Sequence, residues 1–92
     1  MAALNMHVYL IYAPTGDPEI LTKLFEDAHV VRDGLMLIES AEHQSELYHE
    51  VKFNLPKDAP LFVARLDHQP KFKGVEKGLL SWVRERYDGM TA

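Results

Sequence analysis

The sequence predicts an α+β fold in which a four-stranded antiparallel sheet is built in the order βαββαβ and followed by one more helix. Three observations carry this. The run from His29 to Glu39, HVVRDGLMLIE, breaks two apolar stretches at Asp33-Gly34, the mark of a two-residue β-hairpin. Type I′ geometry is the expected turn, because Gly and Asp reach positive φ at least cost. Apolar strand patterns also occur at 7–13 and 61–67, and helical spacing of apolar residues fills both connections and the C-terminal segment.

In the first strand Val8, Leu10 and Tyr12 share one face and His7, Tyr9 and Ile11 the other. Both faces are largely apolar, so this strand belongs in the middle of the sheet. PTGDPE then supplies a turn, with Asp17 as N-cap and Pro18 at the first helical position. The helix over 17–28 carries one apolar stripe, Ile20, Leu21, Leu24, Phe25 and Ala28, with Glu19, Lys23, Glu26 and Asp27 outside. The hairpin strands occupy 28–32 and 35–39. Ser40 can cap a helix over 41–54 that turns Leu47, Tyr48, Val51 and Leu55 inward and stops at Pro56. The last strand again has two apolar sets, Phe62, Ala64 and Leu66 against Leu61 and Val63. HQPKFKG is a turn-rich loop, with a short extra strand at Lys71 to Lys73 as an option. A third helix over 75–87 presents Val75, Leu79, Trp82, Val83 and Tyr87 at helical spacing.

Right-handed crossovers place the first two helices on the same side of the sheet, which makes a ferredoxin-like sandwich of the single domain 1–92. The opposite face is then open. We assign Tyr9, Ile11, Leu61 and Val63 to it, and an apolar face of that size in water is abnormal for a monomer. The third helix, a second subunit or both must cover it, so a homodimer is expected.

Composition supports a small soluble domain: 92 residues, 47% hydrophobic and 26% charged. A core this small is marginal alone and gains from a partner subunit. The chain has no cysteine, which excludes disulfides, thiolate metal sites and a cysteine nucleophile. Its longest apolar run, Val8 to Ala13, is too short to span a bilayer, and no signal-peptide pattern opens it, so a cytoplasmic protein is expected. The net charge of −4 hides a split: residues 1–50 set nine Asp/Glu against Lys23 and Arg32, a balance of −7, whereas residues 51–92 carry +3. An acidic and a basic half can attract each other between copies, and nucleic-acid binding must rest on a local patch.

Four segments stand out together: Val8-Tyr9-Leu10-Ile11, Leu37-Ile38-Glu39-Ser40-Ala41-Glu42 with Leu47, Asp58 to Leu66, and Gly74 with Trp82-Val83. On these residues the chain resembles the ferredoxin-like CRISPR-associated adaptation-subunit (endoribonuclease-like) superfamily, and more closely its SinR-type relatives, over roughly residues 7 to 87. The resemblance implies a homodimer, and for the family's nucleases a divalent metal held by an Asp at the end of the first strand. Here that segment is Tyr12-Ala13-Pro14-Thr15-Gly16, without a carboxylate before Asp17. A hard cation needs oxygen ligands there.

Other constellations are weaker. His43, Glu46 and Glu50, with Glu42 and His49, lie close on the second helix but lack the H-E-x-x-H register. Asp67-His68 are adjacent on an extended chain and point apart. Pro14-Thr15-Gly16 lacks the glycines and the lysine of a phosphate loop. Lys71, Phe72, Lys73, Lys77, Arg84 and Arg86 with Trp82 form the one basic cluster with interleaved aromatics, interrupted by Glu76 and Glu85. It suits either the acidic half of a partner subunit or nucleic acid. No residue set qualifies as a catalytic, metal or cofactor site. The expected function is a non-catalytic homodimeric module acting through protein contacts. The alternative is a metal-dependent nuclease or nucleic-acid-binding protein that lacks the usual strand-end Asp.

Overall fold

A computed structural model of the chain describes residues 6–25, 27–75 and 77–90. It contains β1 (His7–Tyr12), α1 (Pro18–Leu24), β2 (His29–Arg32), β3 (Leu35–Ser40), α2 (Gln44–Phe53), β4 (Phe62–Arg65) and α3 (Gly78–Met90). The sheet order is β2-β3-β1-β4, every pair antiparallel. This is the ferredoxin-like arrangement with an added C-terminal helix.

Alternation along β1 sorts the core into two layers. Tyr9, Ile11 and Ala13 meet Met36 and Ile38 of β3, Leu21 of α1, and Leu47 and Val51 of α2, all buried. Val8 and Leu37 face the other way and pack under Leu79, Val83 and Tyr87 of α3. The third helix thus covers the second face, and it does so over the side of the sheet where Val31 of β2 lies.

Several local readings change. The hairpin forms, but Asp33 keeps a negative φ and only Gly34 (φ 79) is left-handed, so the turn is not type I′. Such a turn splays the strands against their twist. The ladder absorbs this by slipping one register position between Val30 and Arg32. Ser40 does not cap α2. It is the last residue of β3, paired with His7, and its Oγ accepts from the Glu42 amide at 3.0 Å to close a turn. The cap is His43, whose own amide donates to Glu46 Oε1 at 3.1 Å.

Asp17 does cap α1, its Oδ1 accepting from the Glu19 amide at 2.9 Å. The helix ends at Leu24, earlier than the apolar stripe suggests, because Phe25 turns extended to pack with Ala28 on the core. Ile20 is left exposed, and the placing of Glu26 lies outside the described residues. No strand forms at Lys71 to Lys73.

Candidate interaction surface

Among the described residues three polar contacts tie α3 to the rest of the fold, and one ring contact within the helix orients Arg86. Tyr87 Oη donates to the Leu66 carbonyl at 2.7 Å, and Trp82 Nε1 donates to the Asp27 carbonyl at 2.8 Å. The Arg86 guanidinium lies 3.8 Å from the Trp82 ring centroid, and its Nε stands 3.3 Å from Glu39 Oε1. Burial pushes the Tyr87 phenol up, so it remains a donor across the ordinary pH range.

Coverage is graded along the face. Val8 is buried, Leu10 half-buried, and Tyr12 44% exposed. Phe62, the cross-strand partner of Tyr12 on β4, is 59% exposed. Between this pair and α3 lies an apolar groove of about 190 Å3, with Leu10, Leu35 and Leu37 in its floor and Phe72, Val75 and Leu79 in its wall. The loop that carries Phe72 is tied down by Arg32, whose Nη2 donates to the Gly74 carbonyl at 3.1 Å.

The residues assigned to the open face are therefore displaced. Tyr9 and Ile11 are fully buried beneath α1 and α2. Leu61 and Val63 are half-buried against the same core. The strand alternation is as expected, but the helices take the other set. Tyr12 and Phe62 are the residues that sequence reasoning misses. Both sit in the complementary alternation set, and the one signal for them is their direct pairing across two strands.

The basic cluster divides as well. Lys71, Lys73, Lys77 and Arg84 are exposed. Arg86 has a side chain only 13% exposed and is committed to Glu39 and Trp82. Trp82, hydrogen-bonded and covered by that guanidinium, is no free stacking platform. Phe72 is half-buried in the groove wall. Glu76, one of the interrupting acids, lies outside the described residues.

The acidic positions form a cleft rather than a ligand set. Asp27, Glu39, Ser40, Glu42 and Glu50 line a depression of about 230 Å3. Burial raises the Glu42 carboxyl above its usual range, helped by a hydrogen bond with Glu50 and by the charges of Glu50 and Glu46. Tyr9 Oη donates to the Glu42 carbonyl at 2.6 Å and anchors the turn, and burial also raises this phenol. Asp67 accepts from Arg65 Nε at 2.6 Å, so it is engaged away from His68.

Among the described residues no three His, Asp or Glu side chains converge as a metal group. The end of β1 presents Tyr12, Ala13 and Pro14, with the Ala13 amide donating to the Gly34 carbonyl at 2.7 Å. Those residues do not fit the strand-end cation that the family resemblance implies. No described helix is long and apolar enough to cross a membrane. No family model, curated protein or solved structure matches the chain.

Proposed function

We propose that this protein is a non-catalytic homodimeric binding or assembly module whose copies associate through the open end of the second sheet face. The exposed cross-strand pair Tyr12 and Phe62, beside an apolar groove, carries the reading. Edge-to-edge pairing is the competing geometry, and both edges are blunted against it. On β4 the Gln44 Nε2 donates to the outward Val63 carbonyl at 3.1 Å, Pro60 precedes the strand and Arg65 pairs with Asp67 at its end. On β2 the register slip breaks the edge. The lack of cysteine fits a cytoplasmic location.

Magnitudes favour a weak dimer. With 44% of Tyr12 and 59% of Phe62 exposed, and about 200 Å2 per aromatic side chain, two copies bring about 400 Å2 of ring surface together. At ~25 cal/mol per Å2 this is about 10 kcal/mol gross, against ~4–15 kcal/mol for lost freedom on association. The rings alone are near balance, so Leu10, Leu35 and the groove rim must also close for a micromolar complex.

Light scattering after size exclusion at about 50 µM, a concentration matched to weak association, tests this. The wild type should run as a dimer and Phe62→Lys as a monomer of nearly unchanged melting temperature. A wild-type monomer would sink the proposal. Adding short duplex DNA or RNA with Mg2+ or Mn2+ should change neither mass nor nucleic acid, whereas cleavage or tight binding would favour the nuclease-family reading. If Lys73 and Lys77 face the partner's acidic surface, high salt should weaken the dimer.

A further inference from the structure

We propose that the groove between the end of α2 and the segment leading into β4 binds an acidic peptide with an apolar anchor. The chain makes this groove by doubling back. α2 ends at Phe53, and the Asn54 and Leu55 amides turn onto the Val51 and Lys52 carbonyls. A second turn, Ala59 N–H to Pro56 carbonyl at 3.0 Å, brings the chain back beside the helix toward β4. The resulting cavity of about 400 Å3 is walled by Tyr48, Leu55, Pro56 and Leu61, with Lys52 and Lys57 at its rim. That volume lies within the range of recognised small-ligand and side-chain pockets.

Phe53 lines the same groove and is 85% exposed, more than any other large apolar residue described. A single exposed apolar side chain needs no explanation. Phe53 is not single: Tyr48, at 36% exposure, lines the same groove, so two aromatic side chains face its space. Folding gains almost nothing from Phe53 where it stands.

Charge selects the occupant. Lys52 and Lys57 bring two positive charges to the rim, and among the described residues no carboxylate lines the groove. The C-terminus of α2 contributes only about half a negative charge against them. The Lys52 ammonium also lies 5.9 Å from the Tyr48 ring centroid, which holds the cation at the aromatic wall. The opposite end of α2 is acidic, with Glu42 and Glu46 exposed, so an acidic chain is repelled there and drawn to this end.

The groove lies on the reverse side of β4 from Phe62, since Leu61 and Phe62 alternate along that chain. Peptide binding and self-association are therefore separate properties. A dimer would present two such grooves.

The test uses a short fluorescein-labelled peptide of alternating Glu and Leu around one Phe, and its counterpart with every Glu changed to Gln. Fluorescence anisotropy on the full chain should show saturable binding of the acidic peptide. The neutral one should bind about 10-fold more weakly, as two exposed charge contacts allow. Lys52→Gln with Lys57→Gln should cost the acidic peptide about 10-fold and leave the neutral peptide unaffected. Phe53→Ser, safe for folding at such exposure, should weaken both. Amide chemical-shift changes should centre on residues 48–61. Equal affinity for the two peptides, indifference to these substitutions, shifts centred on Lys71 to Lys77, or no saturable binding would each overturn the assignment.

Discussion

Gly34→Ala should destabilise the fold by about 2–3 kcal/mol, a large part of the roughly 5–14 kcal/mol expected for a chain of this length. Gly34 has φ 79, where an L side chain costs about 1–2 kcal/mol. A Cβ there would stand 2.6 Å from Pro14 Cα and 3.0 Å from Pro14 N. Both are backbone atoms, so the hairpin tip must lift away from the segment it clamps. That movement stretches the 2.7 Å bond from the Ala13 amide to the Gly34 carbonyl, worth about 1 kcal/mol net. Lower entropy of the unfolded alanine chain returns ~0.4–1 kcal/mol. Gly74 is the internal control: its φ is 73, but a Cβ added there would meet nothing within 4 Å. Urea unfolding followed by circular dichroism should therefore show Gly34→Ala losing at least about 1 kcal/mol more than Gly74→Ala, the steric and hydrogen-bond share. Equal losses would refute the close packing of the hairpin on Pro14.

Two further substitutions probe the second face and the acidic cleft. Val83→Ala removes a fully buried side chain between α3 and the sheet. It should cost about 2 kcal/mol in urea unfolding, and a loss under about 0.5 kcal/mol would mean that α3 is not docked on this face. Glu42→Gln tests the raised carboxyl. Because the folded state holds this proton more tightly than an ordinary carboxyl of pKa 4.5, native stability falls as pH rises from 4.5 through the raised value. The substitution should therefore raise the melting temperature at neutral pH and do little at about pH 3.5; a lower melting temperature at neutral pH contradicts the direction of the shift.

The element order is legible because each element carries a local signal. Asp17-Pro18 starts α1, Asp33-Gly34 breaks the hairpin, Pro56 follows α2, and Leu47 with Val51 and Leu79 with Val83 and Tyr87 mark buried stripes. Turn detail is less legible. Type I′ and the observed turn both accept Asp-Gly, and they differ in the φ of Asp33, which comes with a slipped ladder position two residues away. Ser40 satisfies the chemistry of a cap, yet its pairing with His7 holds it in β3. The functional surface suffers most. Alternation separates Tyr9 and Ile11 from Leu10 and Tyr12, but nothing local states which set meets α1 and α2. Phe53 does carry a local signal: it follows Lys52, between the inward positions Val51 and Leu55, and so points outward on the helix.

The partial cover of the second face follows from lengths. Leu79, Val83 and Tyr87 define the buried stripe of α3, and eight residues at 1.5 Å each span about 12 Å. A six-residue strand such as β1 runs about 20 Å. Even laid along the strands, that stripe leaves one end of the sheet bare. Val75 could extend it by another turn at the same spacing, but Gly74 turns left-handed at φ 73 and α3 begins only at Gly78. Val75 instead joins Phe72 in the groove wall, held there by Arg32 on the Gly74 carbonyl. The end left bare is the one where Tyr12 and Phe62 stand side by side. Those two rings are therefore left uncovered because of where α3 starts, and Tyr12→Lys, like Phe62→Lys, should lose the proposed dimer mass at nearly unchanged thermal stability.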